Sequence, residues 1–212
     1  MKAYHFIIAL VVVALSSCST QQNFTSPNFN QLRSSHREIA ILPFDVAFNS
    51  TANREKESVD KRMTEQERQG ALDLQKDLFL NIAKQIQKGR IMMRIQDFNK
   101  TNKILADKGV RINQVAMMDK GELARILGVD AVLWGHSQVI VSRRSSFGGP
   151  SFRDGVESEV RLFDAATGEM IWSTNSFQRP THYLDTPHRL ATSSISQVAK
   201  EIPYRIDKRQ RI

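Results

Sequence analysis

Side chains able to do chemistry are few in this 212-residue sequence, and they do not cluster. There is a single cysteine, Cys18, and five histidines: His5, His36, His136, His182 and His188. His182 and His188 stand six apart with Pro187 between them, which is not a metal-ligand spacing. His136 follows Gly135 inside an apolar run and reads as a half-exposed strand residue. No GxSxG, HExxH, CxxC or P-loop pattern occurs. Asp45, Asp130 and Asp164 fall at expected strand ends or turns, where a carboxylate caps backbone N–H groups. The residues thus specify no catalytic group, no metal site and no cofactor, and the chain reads as a non-enzyme. Two groups suit binding better. Arg143, Arg144 and Arg153 bracket Phe147-Gly148-Gly149. Guanidinium forks and an aromatic tip on an adaptable loop make a surface for a protein partner. Arg205, Lys208, Arg209 and Arg211 form a basic tail suited to anionic lipid or peptidoglycan.

The position of Cys18 explains why it is alone. Met1-Lys2 supplies a small positive start, and Phe6 to Leu15 (FIIALVVVAL) is an unbroken apolar run. That layout is a secretory signal, too short to span a bilayer. Leu15-Ser16-Ser17-Cys18 resembles the bacterial lipobox. The resemblance implies cleavage after residue 17 and acylation of Cys18, whose several chains exceed the two-signal threshold for stable anchoring. Ser19, with no acidic cluster after it, implies by the same resemblance delivery to the outer membrane, facing the periplasm. Residues 19–36 are rich in Ser, Thr, Asn and Gln, and read with Cys18 as a flexible tether. Such a segment would reach roughly 23 Å r.m.s. and about 60 Å fully stretched.

The chain beyond, residues 37–212, is long enough for one domain with a proper core. With one cysteine it holds no internal disulfide, so packing must carry its stability. The formal net charge is +8, from 30 Lys+Arg against 22 Asp+Glu. That balance favours anionic neighbours. An export signal makes nucleic acid the least fitting of them, and no basic-and-aromatic constellation revives it.

The elements alternate. Ile39–Phe44 (IAILPF) reads as a buried strand ended by Pro43, and residues 49–63 as a charged mobile loop. Thr64-x-x-Glu67 is a capping box opening a helix with Ala71, Leu74, Leu78, Ile82 and Ile86 on its apolar face, closed by Gly89. Ile91–Phe98 reads as a strand and Asn99–Lys108 as a short helix. Asp119-x-x-Glu122 opens another helix, which Gly128 closes. Ala131–Val141 is a strong strand and 142–155 a loop. From Val156 to Leu162 apolar and charged residues alternate, then Asp164–Gly168 turns into a return strand through Thr174. Thr186-Pro187 starts a final helix that buries Leu190, Ile195, Val198, Ala199 and Ile202. The order predicts a single α+β or α/β domain, a mixed sheet covered by helices.

Three segments carry a resemblance: 39–44 (IAILPF), 122–135 (ELARILGVDAVLWG) and 160–172 (VRLFDAATGEMIW). They are similar to the envelope lipoproteins related to CsgG and the amino-terminal domain of TolB, a group that includes the periplasmic activator LpoB. These are fold signatures rather than catalytic ones. The resemblance, spanning roughly 37–200, implies an accessory or docking component in envelope assembly, secretion or cell-wall synthesis, with homo-oligomers possible. The alternative it raises is a subunit of a CsgG-like secretion pore. Residues 49–63 and 142–155, where barrel hairpins would have to sit, are too short and polar to supply strands of about 9–11 residues with a lipid face.

Overall fold

The computed structural model describes residues 23–50, 63–141, 155–182 and 184–205. Its first element is a three-residue strand, β1 (Asn23–Thr25), followed by a short helix, α1 (Phe29–Arg33). Both lie inside the stretch expected to be tether. β1 pairs antiparallel with a later strand, Phe29 is buried, and His36 is only 7% exposed. Residues 23–36, read from composition as tether, therefore take part in the described fold. Composition misleads here because polar side chains at a sheet edge and on a one-turn helix point outward.

β2 (Glu38–Ile41) breaks at Leu42–Phe44 and resumes as β3 (Asp45–Ser50). Both run parallel to the same strand, β5 (Ala131–Val141). Pro43, which has no N–H to donate, sits in the break. There the Phe44 N–H turns away to the Ala71 carbonyl. The ring of Phe44 lies over Gly135, where a Cβ would collide with it. That close approach is the reason for a glycine in the middle of β5.

The capping box opens α2 (Glu65–Gln87) as its residues demand: Thr64 Oγ1 accepts from the Glu67 N–H, and Glu67 reaches back to the Thr64 N–H. After it the chain forms only a two-residue strand, β4 (Arg94–Ile95), where a longer one was expected over 91–98. Asp97 explains the early end. Its carboxylate caps α3 (Phe98–Asp107) by accepting from the Asn99 and Lys100 N–H groups, and so turns the chain out of the sheet. The one-turn α4 (Ile112–Val115) and then α5 (Lys120–Leu127) follow, α5 capped by Asp119 and closed by Gly128 in the left-handed region at φ 69°. β6 (Gly155–Asp164) and β7 (Met170–Gln178) form the expected hairpin, with the return strand ending four residues later than foreseen. α6 (Pro187–Glu201) closes the fold, with Thr186 as its cap.

The result is a mixed α+β domain around a seven-stranded sheet of order β1-β7-β6-β5-β2-β4, with β3 on β5 beyond β2. Helices α2 and α6 cover one face. Leu78, Ile82, Leu133, Val160, Leu162, Trp172 and Ile195 pack there in one core. Helices α3, α4 and α5 cover only β2 and the start of β5 on the other face, where Ala40, Leu42, Leu105, Leu123 and Val132 make a smaller cluster. Among the described residues no helix covers the rest of that second face. No helix among the described residues is long and apolar enough to cross a membrane.

Candidate functional site

The most enzyme-like constellation is a buried chain of hydrogen bonds. His36 Nε2 lies 2.7 Å from Asp164 Oδ1, and His36 Nδ1 lies 2.6 Å from the Tyr204 hydroxyl. With Asp164 ionised, Nε2–H donates to the carboxylate and the tyrosine hydroxyl donates to Nδ1, an assignment that follows from the partners. The second Asp164 oxygen accepts from the Thr167 N–H and hydroxyl at 2.7 and 3.0 Å. Burial alone would raise the Asp164 carboxyl, but the bonds from His36 and Thr167 outweigh it and hold the group below the usual range. Burial, with Asp164 nearby, pushes Tyr204 far up, so it remains a donor at neutral pH. The His36 and Asp164 side chains are 1% and 3% exposed. A substrate cannot reach them. The chain joins the segment before β2, the end of β6 and the residues after α6, and its role is fastening. Asp130 plays a similar part, accepting from the Arg37 and Glu38 N–H groups at 2.7 and 2.9 Å.

The open half of the second sheet face is the accessible candidate. β5, β6 and β7 place Trp134, His136, Glu157, Glu159, Arg161, Ser173, Asn175 and Phe177 on it, by the period-two alternation of paired strands. At its inner edge Trp134 lies against two cations: Lys120 Nζ is 4.5 Å and Arg161 Cζ 5.8 Å from its ring centre. Lys120 donates to the Ala116 and Met118 carbonyls at 3.1 and 2.8 Å, and burial lowers its pKa. Trp134 Nε1 is buried and bonds no described acceptor. Arg161 pairs with Glu159 through two bonds at 2.8 and 2.6 Å, which raise its pKa. His136 Nδ1 lies 2.9 Å from Asp45 Oδ2, and both side chains are about a third exposed. Outward from these, a groove of about 400 Å³ is lined by Asn23, Phe24, Glu157, Glu159, Ser173 and Asn175. A second hollow, about 570 Å³ and mostly apolar, lies between α2, α3 and α4 beside Pro43, Leu72 and Leu105. Among the described residues no group of three or more His, Cys, Asp or Glu could hold a metal ion.

The residues expected to bind, Arg143, Arg144, Phe147 and Arg153, lie outside the described residues, as do Cys18, Lys208, Arg209 and Arg211. His136 is the half-exposed strand residue the sequence suggested, and Asp130 and Asp164 serve turns and caps. The sequence did not reveal the partners of His36. Its bonds to Asp164 and Tyr204 cross 128 and 168 residues of chain, and no local pattern marks them.

No family model matches the sequence, and a search of the curated proteins finds no match. Several solved structures are similar to this chain. Lipoprotein GNA1162 from Neisseria meningitidis shares 15% identity over 78% of this chain and 95% of its own, with a TM-score of 0.46. A PelC dodecamer from Paraburkholderia phytofirmans shares 16% over 85% and 96%, at 0.43. The LpoB C-terminal domain from Escherichia coli shares 13% over 68% and 84%, at 0.35. At these scores the likenesses carry nothing further about what this chain does.

Proposed function

We propose that this chain is a lipid-anchored accessory protein of the bacterial cell envelope. It is held at the periplasmic side of the outer membrane by acyl chains on Cys18, and its domain docks another envelope protein in assembly, secretion or cell-wall synthesis. The observation that carries the reading is the sequence Leu15-Ser16-Ser17-Cys18 behind ten apolar residues, which accounts for the only cysteine of the chain. The resemblance to envelope lipoproteins in segments 39–44, 122–135 and 160–172 supports the same class. A non-enzymatic role fits the one buried His–Asp–Tyr chain, whose groups are spent on joining elements. The surface offered to a partner is the described sheet face around Glu157 and Glu159, and the arginines of 142–154 are proposed to add to it. The test is in cells. Cys18→Ala should leave an unprocessed precursor without fatty-acid label. Photocrosslinkers placed at Glu157 should capture an envelope protein that the same probe at Leu80, on the outer side of α2, does not. Normal cleavage and labelling of Cys18→Ala would refute the anchor, and equal capture from both positions would refute the docking face.

A further inference from the structure

The pairing of β1 fixes the direction from which the amino-terminal chain arrives. Asn23, Phe24 and Thr25 stand opposite Thr174, Ser173 and Trp172, antiparallel to β7. β1 therefore starts, at Asn23, on the side of Asn175 and runs away from it. At that end β7 runs out through Phe177 to Gln178, β5 ends at Val141, β6 begins at Gly155 and β3 ends at Ser50. The connections 51–62 and 142–154 depart from the same end, and so does the segment between β7 and α6.

The lengths match. Cys18 and Asn23 are five positions apart, with four residues between them, a span of at most about 17 Å. From the level of Thr174 to that of Arg179 is also five strand residues, about 17 Å. A Cys18 held in a membrane thus keeps this end of the sheet at the surface. What the described chain shows there suits an interface. Phe177 is 41% exposed and Leu184 66% exposed, and Arg179 is exposed with its guanidinium carbon 5.4 Å from the Phe177 ring centre. An aromatic ring, an aliphatic side chain and a cation that can snorkel are the residue types found at headgroup level. Acidic groups are present too. Glu157 faces Phe177 across the ladder, and Asp185 is occupied by the Thr181 and His182 N–H groups. The opposite end of the sheet holds the Asp164–Gly168 turn, the His36–Asp164–Tyr204 chain and Arg205, which bridges to Ile91.

We propose that the end of the sheet bearing Phe177, Arg179 and Leu184 rests on the membrane, its occupant being the phospholipid headgroup layer of the leaflet that holds Cys18. The inference rests on the lipid-anchor reading above and adds an orientation to it: the basic carboxyl-terminal tail departs from the end that faces away from the bilayer.

The experiment uses the acylated full chain, purified from membranes and returned to vesicles of phosphatidylethanolamine and phosphatidylglycerol with brominated acyl chains. The Cys18 sulfur is taken by lipid, so one introduced cysteine is the single free thiol. A fluorophore on His182→Cys should be quenched by the brominated lipid, and the same fluorophore on Glu169→Cys, at the far turn, should not. Adding Phe177→Ser, Arg179→Ser and Leu184→Ser to the His182→Cys protein should reduce the quenching while thermal unfolding stays cooperative. Equal quenching at both positions, or stronger quenching at 169, overturns the orientation. Quenching at 182 that the triple change leaves intact overturns the contact. Protection of position 182 in native envelopes but not in vesicles would make the occupant a protein, and overturns the proposal. Mass measurement of the acyl chains is read separately: their absence refutes the anchor, and with it the orientation.

Discussion

His36 and Asp164 meet at 2.7 Å across 128 residues of chain, in a place closed to solvent. The pair ties the segment between β1 and β2 to the β6–β7 hairpin, and Tyr204 extends the tie to the chain after α6. Removing the imidazole leaves a buried carboxylate with an empty side. Such an orphaned charge-bearing group destabilises by roughly 1–3 kcal/mol or more. His36→Ala should therefore lower the urea midpoint by that equivalent. Tyr204→Phe, which removes only the hydroxyl bonded to His36 Nδ1, should lower it less. An unchanged midpoint in His36→Ala would show that the pair contributes no stability.

Asp164 also sets an acid limit. Its carboxyl is held below the usual value in the folded state, so the unfolded chain binds the proton more readily. The stability from this group is present above the ordinary carboxylate pKa and is lost as pH falls through the lower folded one. Wild type should lose stability progressively below about pH 4. Asp164→Asn should start lower at pH 7 and show a shallower decline over the same range. Parallel denaturation curves at several pH values read the difference, and identical slopes would assign the acid limit to other groups.

Trp172 is 3% exposed and shares one core with Leu133, which is fully buried. It also stands opposite Thr25, so it supports the first strand of the domain. Trp172→Ala should cost about 3–5 kcal/mol by large-to-small truncation. An unaltered melting temperature would contradict the hairpin's place in the core.

Gly135 is a steric requirement. A Cβ there would strike the Phe44 ring. Gly135→Ala should destabilise by about 1–3 kcal/mol through overpacking. Combining it with Phe44→Leu should cost less than the two single changes together, since they share one contact. Additive losses would mean that the glycine serves something other than that ring.

Replacing Arg143, Arg144 and Arg153 by Ser should leave stability nearly unchanged and weaken partner capture, with the surviving interaction less salt-sensitive. Quantitative crosslinking in native envelopes compares the two proteins, and equal profiles would remove the loop from the docking surface.

The parts of the fold legible beforehand are those whose cause is local. Thr64 and Glu67, Asp119 and Glu122, and Gly128 announce helix ends because their partners lie within four residues. The alternation from Val156 to Leu162 announces a half-covered strand because its two faces meet different surroundings. What escaped depends on distant chain. Asn23–Thr25 has no apolar pattern and becomes a strand because β7 offers an edge. Glu157, Trp134 and Lys120 come together on one sheet face only after β5, β6 and α5 are placed, and nothing in their spacing foretells it. His36 looks like a linker residue until Tyr204 and Asp164 are brought to it.

The antiparallel seat of β1 also decides how the domain answers a pull. Tension arriving through the amino-terminal chain runs along the strand, so the hydrogen bonds to β7 are loaded side by side rather than opened one after another. Behind them the His36 fastening takes up the strain before it reaches the core. Held by its amino-terminal chain, the domain would meet a pull in its mechanically strong direction.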